Sequence, residues 1–386
     1  MKVGFDGTPL AAPMCYTGAG HYAAQLLRHL ASVEGDVAYL VYGPPGMARP
    51  GWLPRGMGWQ PLPVLRLGRL SALTTGLFLL PTLVKRDALD VFHSPTVHTR
   101  ASLLPVPRGL SCRLVVTVHD LIPLRYRELT GQGLPWRMRL FYRWNLEGAL
   151  RADRIVTVSE TSRQELLAAS DLPAHRVSAI PNGIGPPPPE DERGEGLLAA
   201  LGVRRPYLLF VGSWEPRKNI GRLLEAFALA RQRGLPHQLA LVVEAHSGHA
   251  RRLLERAQNL PCWGELRFLH SLDDGAMWAL YRHADALACP SLYEGFGLPA
   301  AQAMACGTPV VASPRGALRE VLGEAALYID PLDPASIAEG LLDVTRDEAL
   351  RRRLSRLGRE RAALYSWEEA ARRTVAVYRL ARGADT

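Results

Sequence analysis

The stretch ALACPSLYEGFGLPAAQAMACGTPVVA, residues 286–312, contains the pattern that decides the fold. An apolar run at Ala286–Cys289 predicts a buried strand, and a second run at Pro309–Ala312 predicts another. Between the two runs, a pair of glycines leads into a helix with Pro299 in its first turn. A helix between two short apolar strands is typical of a parallel sheet.

The same alternation of short apolar runs with longer helical segments extends along the whole chain. In the first half, strands are predicted at Val3–Asp6, Val37–Tyr42, Val91–His93, Leu114–His119, Ile155–Val158 and Val177–Ile180. In the second half, they are predicted at Tyr207–Val211, Leu239–Val243, Leu266–Leu269, Ala286–Cys289, Pro309–Ala312 and Leu327–Ile329. This pattern predicts an α/β protein of two doubly wound domains, with its ligand at the carboxyl ends of the strands, in the cleft between the domains.

Residues Pro186–Pro189 interrupt the alternation, because four prolines donate no backbone N–H and fit neither a helix nor a central strand. We therefore expect a first domain over residues 1–185, a Pro-rich linker over 186–200 and a second domain over 201–365. Within the first domain, a helix is expected at Ser162–Ala169, opened by a capping box at Ser162.

The composition favours a folded protein and excludes several classes. Of the 386 residues, 47% are hydrophobic, enough to offset the entropy cost of folding. The net charge is +9, and most of it lies in residues 1–190, where 20 Lys and Arg face 13 Asp and Glu. No basic block is long enough for a nucleic-acid-binding tail, so no nucleic-acid partner is expected. The uncharged run Leu70–Val84 is too short to span a membrane.

The cysteines and the absent motifs narrow the chemistry further. Five cysteines lie far apart, with no C-x-x-C spacing, as is typical of reduced thiols in a cytoplasmic protein. The N-terminus runs directly into a predicted strand, which leaves no room for a signal peptide. No Asp-x-Asp, P-loop or Gly-x-Ser-x-Gly motif occurs, so we expect no metal site beside a nucleotide and no P-loop or serine-esterase chemistry.

Two segments of the second half have the chemistry of a phosphate site. Arg217 and Lys218 are adjacent cations at a predicted helix N-terminus, which is unfavourable unless an anion binds there. Lys218 is one of only three lysines in the chain. The alternative interpretation of the two adjacent cations is a basic turn exposed to solvent. Free backbone N–H groups from Gly295 to Leu298 would suit phosphate, and the neighbouring Glu294 carboxylate would bind sugar hydroxyls.

Two further candidates lie in the first half. Gly18 and Gly20 fit the pattern G-x-G-x-x-A, but their distance from the first strand disfavours NAD(P) binding. These glycines would still allow an anion to approach a helix N-terminus. The alternative is that the glycine loop serves only to reverse the direction of the chain. His119 ends an apolar strand, where its side chain would enter the cleft and could contact a ligand. A purely structural role for this histidine is an alternative of equal weight.

Taken together, Glu294–Val311 resembles the signature of the retaining family 4 glycosyltransferases, which have the GT-B fold of two facing Rossmann-like domains. Further matches lie along the whole chain, at Gly18–Gly20, His119-Asp120, Val158–Glu160, Pro181–Gly183, Glu215–Asn219 and Ser313–Gly316. Glu215–Asn219, together with HDLIP at residues 119–123, is similar to the bacterial mannosyltransferases that build O-antigen and exopolysaccharide.

The resemblance implies a role for each matching position. Arg217 and Lys218 would hold the diphosphate of a nucleotide-sugar donor, and Glu294 would hold its sugar hydroxyls. His119 would contact the sugar near the reacting carbon. The remaining contacts to the donor would come from Gly18, Gly20, Ser213, Gly295, Phe296, Gly297, Leu298 and Gln302. Gln302 stands where the family usually has a second glutamate for the ribose, and Ser213 stands where many members have arginine.

The implied reaction is transfer of a hexose with retention, without a metal or other cofactor, to a glycan or polyprenyl-linked acceptor. The donor that the resemblance favours is GDP-mannose, with UDP- and dTDP-sugars as alternatives. Residues 366–386 would form a C-terminal helix that crosses back to the first domain. A nucleotide-sugar epimerase or phosphorylase of the same fold, and a non-catalytic nucleotide-sugar-binding protein, are the alternative functions.

The basic first half suggests a docking surface for a membrane. The segment Arg125–Trp144 mixes arginines with aromatic and apolar residues, as helices at a membrane interface do. We therefore expect a cytoplasmic protein that binds peripherally to the anionic inner face of the cytoplasmic membrane. A core-facing helix with a solvated arginine face is the alternative.

Overall fold

The structure is a computed structural model that describes residues 1–11, 14–63, 71–98, 104–189, 194–243 and 248–383. The chain divides into two compact units. Unit 1 comprises Met1–Gly183 together with Ser366–Thr386, and unit 2 comprises Ile184–Tyr365. Each unit is built around its own parallel sheet.

The described residues of unit 1 include seven strands and, in its first chain segment, six α-helices. The strands are β1 Lys2–Asp6, β2 Ala38–Gly43, β3 Gly58–Pro61, β4 Val91–Ser94, β5 Arg113–Val118, β6 Arg154–Thr157 and β7 Val177–Ala179. The helices are α1 Gly18–Leu30, α2 Ser71–Thr74, α3 Leu80–Arg86, α4 Ile122–Thr130, α5 Trp136–Leu150 and α6 Glu160–Ala168. A π-helical segment, Thr75–Leu79, joins α2 to α3. The strands pair in parallel in the order β3-β2-β1-β4-β5-β6-β7.

The described residues of unit 2 include six strands and eight α-helices. The strands are β8 Tyr207–Gly212, β9 Gln238–Val243, β10 Leu266–Leu269, β11 Ala286–Cys289, β12 Val310–Ala312 and β13 Ala326–Tyr328. The helices are α7 Gly194–Ala200, α8 Ile220–Gln232, α9 Gly248–Gln258, α10 Asp274–His283, α11 Leu298–Cys306, α12 Leu318–Leu322, α13 Pro334–Arg346 and α14 Glu348–Ala362. The strands pair in parallel in the order β10-β9-β8-β11-β12-β13.

The predicted strands and the α/β class are confirmed. All twelve predicted strands are present, and each of their ends lies within one residue of the prediction. A parallel strand that is covered on both faces needs apolar side chains on both, so it is a continuous apolar run in the sequence. In β8, for example, residues 207–210 are all buried. The edge strand β3 was not predicted, since its sequence Gly-Trp-Gln-Pro contains no apolar run.

The strand order reverses once in each sheet, and this reversal marks where ligands bind in doubly wound folds. In unit 1, the order changes direction between β1 and β4, and in unit 2 it changes between β8 and β11. Loops that leave neighbouring strands in opposite directions open a crevice at their carboxyl ends. In unit 2, these are the loops that carry Lys218 and Glu294.

Two local expectations differ from the structure. The capping box predicted at Ser162 is wrong, because α6 begins at Glu160 and Ser159 Oγ accepts the hydrogen bond from Ser162 N at 3.0 Å. The predicted linker 186–200 ends in α7, a helix of unit 2 that buries Leu198. Residues 190–193 of that segment lie outside the described part of the chain.

The last helix, α15 (Trp367–Arg382), packs against α1 and the central strands of unit 1. A buried polar chain joins it to the sheet: Tyr378 OH contacts His93 Nδ1 at 2.7 Å, and His93 Nε2 contacts Thr117 Oγ1 at 2.8 Å. Thr117 Oγ1 in turn lies 3.0 Å from Tyr22 OH on α1. Burial lowers the pKa of His93 to about 3, so the ring is neutral near pH 7.

Replacing Tyr378 by phenylalanine removes one end of this chain and leaves a buried ring nitrogen of His93 without its partner. We expect Tyr378→Phe to lower the free energy of unfolding by about 1–3 kcal/mol, measured by urea denaturation. Tyr39→Phe is the matched control, because the buried Tyr39 hydroxyl has no hydrogen-bond partner among the described residues. Equal losses in the two variants would contradict a stabilising contact between Tyr378 and His93.

Candidate active site

The candidate site of unit 2 lies at the carboxyl ends of β8 and β11, where the strand order reverses. After β8, the chain forms a short 3₁₀ turn at Pro216–Lys218 before α8 begins at Ile220. After β11, the chain passes through Glu294 before α11 begins at Leu298. The two loops are joined by a backbone hydrogen bond from Leu292 N to Arg217 O, at 2.7 Å.

A buried ion cluster connects the same two loops. Lys218 Nζ lies 2.5 Å from Glu294 Oε1, and Arg217 Nη1 lies 3.1 Å from Glu294 Oε2. Lys218 is 8% exposed and Glu294 is 7% exposed. Ser291 Oγ also donates to Glu294 Oε1, at 2.7 Å. Buried charges of this kind are stable only when paired, so each side chain of the cluster depends on the others.

The ionisation of Glu294 follows from these contacts. Burial disfavours the charged carboxylate, but the nearby charges of Lys218 and Arg217 outweigh it and lower its pKa to about 2. Glu294 is therefore a carboxylate near pH 7, and it accepts hydrogen bonds without being able to donate a proton. Arg217 also contacts the exposed Glu215 through Nε, at 2.7 Å. Lys218, Arg217 and Glu294 together carry one net positive charge, which Glu215 offsets on the exposed side of Arg217.

Two glycines shape the loop between Glu294 and α11. Gly297, with φ +89°, is the N-cap of α11, and a Cβ there would lie 2.6 Å from Leu318 Cδ2. Gly316, with φ +59°, packs behind the loop, where a Cβ would lie 2.4 Å from the Glu294 carbonyl oxygen. The same oxygen accepts a hydrogen bond from Ala317 N, at 2.9 Å. Side chains are therefore excluded at both positions, and the backbone of Glu294 is held in place.

The other predicted donor-binding residues of unit 2 lie in or beside these loops. Phe296 is buried with its ring 5.6 Å from that of Tyr365, so its side chain serves packing. Gly295 and Leu298 flank it on the approach to α11, and Ser213 directly follows β8. Gln302 lies on α11, where its Oε1 accepts a hydrogen bond from Tyr281 OH at 3.1 Å. A ribose contact of Gln302 stays a prediction, since that oxygen already has one donor.

The predicted residues of unit 1 form a separate set. His119 follows β5, and its Nε2 lies 2.9 Å from the carbonyl oxygen of Pro95. Burial lowers the pKa of His119 to about 4. The ring is therefore neutral near pH 7, with its proton on Nε2 and an acceptor lone pair on Nδ1. The ring packs perpendicular to that of Tyr22, with ring centroids 4.9 Å apart.

Gly20, near the start of α1, has a packing role. Gly18 is the first residue of α1, and Gly20 N donates to Thr17 Oγ1 at 3.3 Å. A Cβ on Gly20 would lie 2.1 Å from the Met14 carbonyl oxygen, so no side chain fits there. This close approach accounts for Gly20 without a ligand, and its contact with an anion stays a prediction.

Two residues of the site were missed by the sequence analysis. Ser291 holds the carboxylate of Glu294, and Asn219, the N-cap of α8, donates hydrogen bonds to two other loops. Asn219 ends the motif Glu215–Asn219, but nothing in the sequence indicates its partners, which are 71 and 112 residues away. Among the described residues, no group of three or more His, Cys, Asp or Glu side chains forms a metal site, and no helix is long and apolar enough to cross a membrane.

Glu294 links the stability of the protein to pH. Its folded pKa of about 2 lies below the ordinary 4.5, so its stabilising contribution is complete above pH 4.5 and is lost as the pH falls toward 2. In chemical denaturation, we expect the stability difference between the wild type and Glu294→Gln to be constant near neutral pH and to shrink on acidification below 4.5. Glu348→Gln, which breaks only an exposed ion pair with Arg352, is the control. A difference that grew on acidification would contradict the ion cluster.

Comparison with known proteins identifies the family of the chain. The family model described as Glycosyltransferase Family 4 matches residues 16–186, and the model described as Glycosyl transferases group 1 matches residues 200–361. The chain is 29% identical to the O-antigen chain mannosyltransferase B of Escherichia coli, over 98% of this chain and 100% of that one. It is 33% identical to the MMP alpha-(1->4)-mannosyltransferase of Mycolicibacterium hassiacum, over 76% of this chain and 71% of that one.

Among solved structures, HepE of Anabaena in complex with UDP-glucose has the same fold. Its TM-score with this chain is 0.73 at 18% sequence identity, over 97% of this chain and 98% of that one. The family matches therefore extend over both units, and the fold likeness covers nearly the whole chain. This chain belongs to the family 4 glycosyltransferases of GT-B fold, in the branch of the bacterial O-antigen mannosyltransferases.

Proposed function

We propose that this glycosyltransferase transfers a hexose, with retention, from a nucleotide sugar to a hydroxyl of a glycan or polyprenyl-linked acceptor in the synthesis of a cell-surface polysaccharide. The observation that carries the proposal is the buried cluster of Arg217, Lys218 and Glu294 at the strand reversal of unit 2. This cluster combines the two chemistries that a nucleotide sugar requires, which are cations for a diphosphate and a carboxylate for sugar hydroxyls.

Each side chain of the cluster has a separate task in the proposed reaction. The Glu294 carboxylate accepts hydrogen bonds from hydroxyls of the donor sugar and orients the ring. As the bond between the anomeric carbon and the diphosphate breaks, negative charge grows on the leaving group. Lys218, Arg217 and the N-terminus of α11 stabilise that charge from fixed positions. We propose that this stabilisation requires no metal ion.

We propose that the acceptor hydroxyl attacks the anomeric carbon from the same face from which the diphosphate leaves, so that the configuration at this carbon is retained. The departing phosphate takes the proton of the acceptor hydroxyl as the new glycosidic bond forms. His119 is neutral near pH 7, so it is suited to accept a hydrogen bond from a sugar hydroxyl through Nδ1. The ionised Glu294 is occupied by two cations, which suits it to hold the sugar rather than to act as a nucleophile.

The favoured donor is GDP-mannose, with UDP- and dTDP-sugars as the alternatives. The names of two relatives support mannose as the sugar, and the UDP-glucose bound to HepE supports a nucleotide sugar as the donor class. A donor that binds only the folded protein raises the melting temperature by mass action. Thermal denaturation against GDP-, UDP-, dTDP- and ADP-sugars therefore identifies the nucleotide, and GDP-mannose is expected to give the largest shift.

Lys218→Ala tests the function itself. Loss of the point charge beside the diphosphate is expected to lower sugar transfer by about 10²-fold or more, measured with radiolabelled donor and a polyprenyl-linked acceptor. Lys85→Ala, which removes an exposed lysine of unit 1, is expected to leave transfer unchanged. A loss below about threefold for Lys218→Ala would overturn the proposal. Release of free nucleotide without acceptor would instead favour the epimerase, and no turnover at all would favour a binding protein.

We further propose that helices α4 and α5 of unit 1 dock on an anionic membrane surface, where a lipid-linked acceptor would be located. Trp136 and Leu140, one turn apart on α5, are 61% and 53% exposed. Exposed arginines lie between and beyond them, at Arg137, Arg139 and Arg143. An exposed apolar pair among cations complements a bilayer with anionic headgroups.

Co-sedimentation with vesicles tests this surface. The protein is expected to bind vesicles that contain phosphatidylglycerol and not vesicles of phosphatidylcholine alone, because the arginines add electrostatic attraction. Trp136→Ser with Leu140→Ser is expected to weaken that binding. Leu364→Ser is the control, since Leu364 is a leucine of unit 2 that is more exposed than Leu140. Equal binding to both kinds of vesicle, or binding to neither, would contradict the proposal.

A further inference from the structure

One buried side chain joins three of the loops at the carboxyl edge of the unit 2 sheet. Asn219, which follows Lys218, is 4% exposed and donates both hydrogens of its amide to backbone carbonyls. The acceptors are the oxygens of Pro290, at 3.1 Å, and Pro331, at 2.6 Å. The Asn219 Oδ1 accepts a hydrogen bond from Arg222, at 3.0 Å. The amide is thus fully used for contacts within the protein.

The two acceptors place Asn219 between the elements of the candidate site. Pro290 begins the loop after β11 that continues through Ser291 to Glu294. Pro331 lies between β13 and α13, in a third loop at the same edge of the sheet. The side chain of Asn219, in the loop of Lys218, is therefore hydrogen-bonded both to the loop of Glu294 and to the loop that contains Pro331.

The chemistry of this position fits asparagine. Its φ of +62° lies in the left-handed region, which asparagine tolerates better than most residues other than glycine. Glycine would adopt this conformation but has no amide to donate. Aspartate has the same shape, yet its carboxylate would face two carbonyl oxygens without a hydrogen to donate. Only an amide satisfies both requirements.

The hydrogen bond to Pro290 acts on the ion cluster through short lengths of chain. Lys218 is the residue before Asn219, and Ser291, which donates to Glu294, is the residue after Pro290. A relative shift of the two loops would therefore change the separation of Lys218 Nζ and Glu294 Oε1, now 2.5 Å.

We propose that Asn219 is a positioning residue for the donor. Its amide sets the spacing between the cation that binds the diphosphate and the carboxylate that binds the sugar. This inference rests on the proposed function, because it assigns to Asn219 an effect on the nucleotide-sugar donor.

Asn219→Gly tests the proposal, because glycine keeps the left-handed backbone and removes the amide. The specificity constant kcat/KM for the donor is expected to fall at least about tenfold, in line with the loss of buried hydrogen bonds. The KM for the acceptor is expected to stay unchanged. Asn219→Asp, which keeps the shape and removes both donors, is expected to show the same donor-specific loss. Asn259→Gly, which removes an exposed amide on the same unit, is the control.

A double variant separates positioning from a merely structural effect. If Asn219 acts through the ion cluster, Lys218→Ala combined with Asn219→Gly is expected to lose little more donor kcat/KM than Lys218→Ala alone. Independent, multiplying losses would overturn the proposal, as would an unchanged kcat/KM in Asn219→Gly. Full transfer by Lys218→Ala would instead overturn the proposed function, so the two failures are distinguishable.

Discussion

The contact between Glu294 and Lys218 is the interaction on which the rest of the candidate site depends. Each of these charges would be costly in a buried position alone, and each is stabilised because the other is present. Their backbones belong to loops 76 residues apart in the chain, so the pair forms only when the strands at the reversal of the sheet are correctly paired. The glycines at 297 and 316 and the hydroxyl of Ser291 leave the carboxylate little freedom to move. The protein therefore presents a preorganised charge to its ligand.

The ionisable groups of the two units show how environment decides their protonation states. Glu294 and His119 are both largely removed from solvent, yet one is charged near pH 7 and the other is neutral. Glu294 has two cations within hydrogen-bonding distance, which outweigh the cost of burial. Among the described residues, the contacts given for His119 are a backbone carbonyl and the Tyr22 ring, neither of which carries a charge. Burial therefore keeps the ring neutral, and Nδ1 remains an acceptor. Both groups therefore offer lone pairs, the chemistry that hydroxyl-rich ligands require.

The fold was more predictable from the sequence than the site was. Twelve strands were found because parallel strands covered on both faces are continuous apolar runs, while β3, which lies at an edge, has no such run. The sequence singles out Lys218 and Glu294 because adjacent cations, and a carboxylate beside a turn that would suit phosphate, are unfavourable without partners; the structure brings these two side chains into contact. Ser291, and the hydrogen bonds that Asn219 makes, could not be found in this way. Serine and asparagine are common in loops, and their partners are distant in the sequence or determined by the local turn. The contact between Gln302 and Tyr281 was hidden for the same reason.

The composition of unit 1 from two separate chain segments has a consequence for biosynthesis. Its sheet is complete by residue 183, but α15 contributes Tyr378 to the buried polar chain only after the whole of unit 2 has left the ribosome. During translation, His93 and the surface of α1 that α15 covers would thus be exposed while unit 2, which is continuous in the chain, already folds. The unit that is synthesised first is the one that is finished last. Until α15 has left the ribosome, the incomplete unit 1 would therefore be open to aggregation and proteolysis.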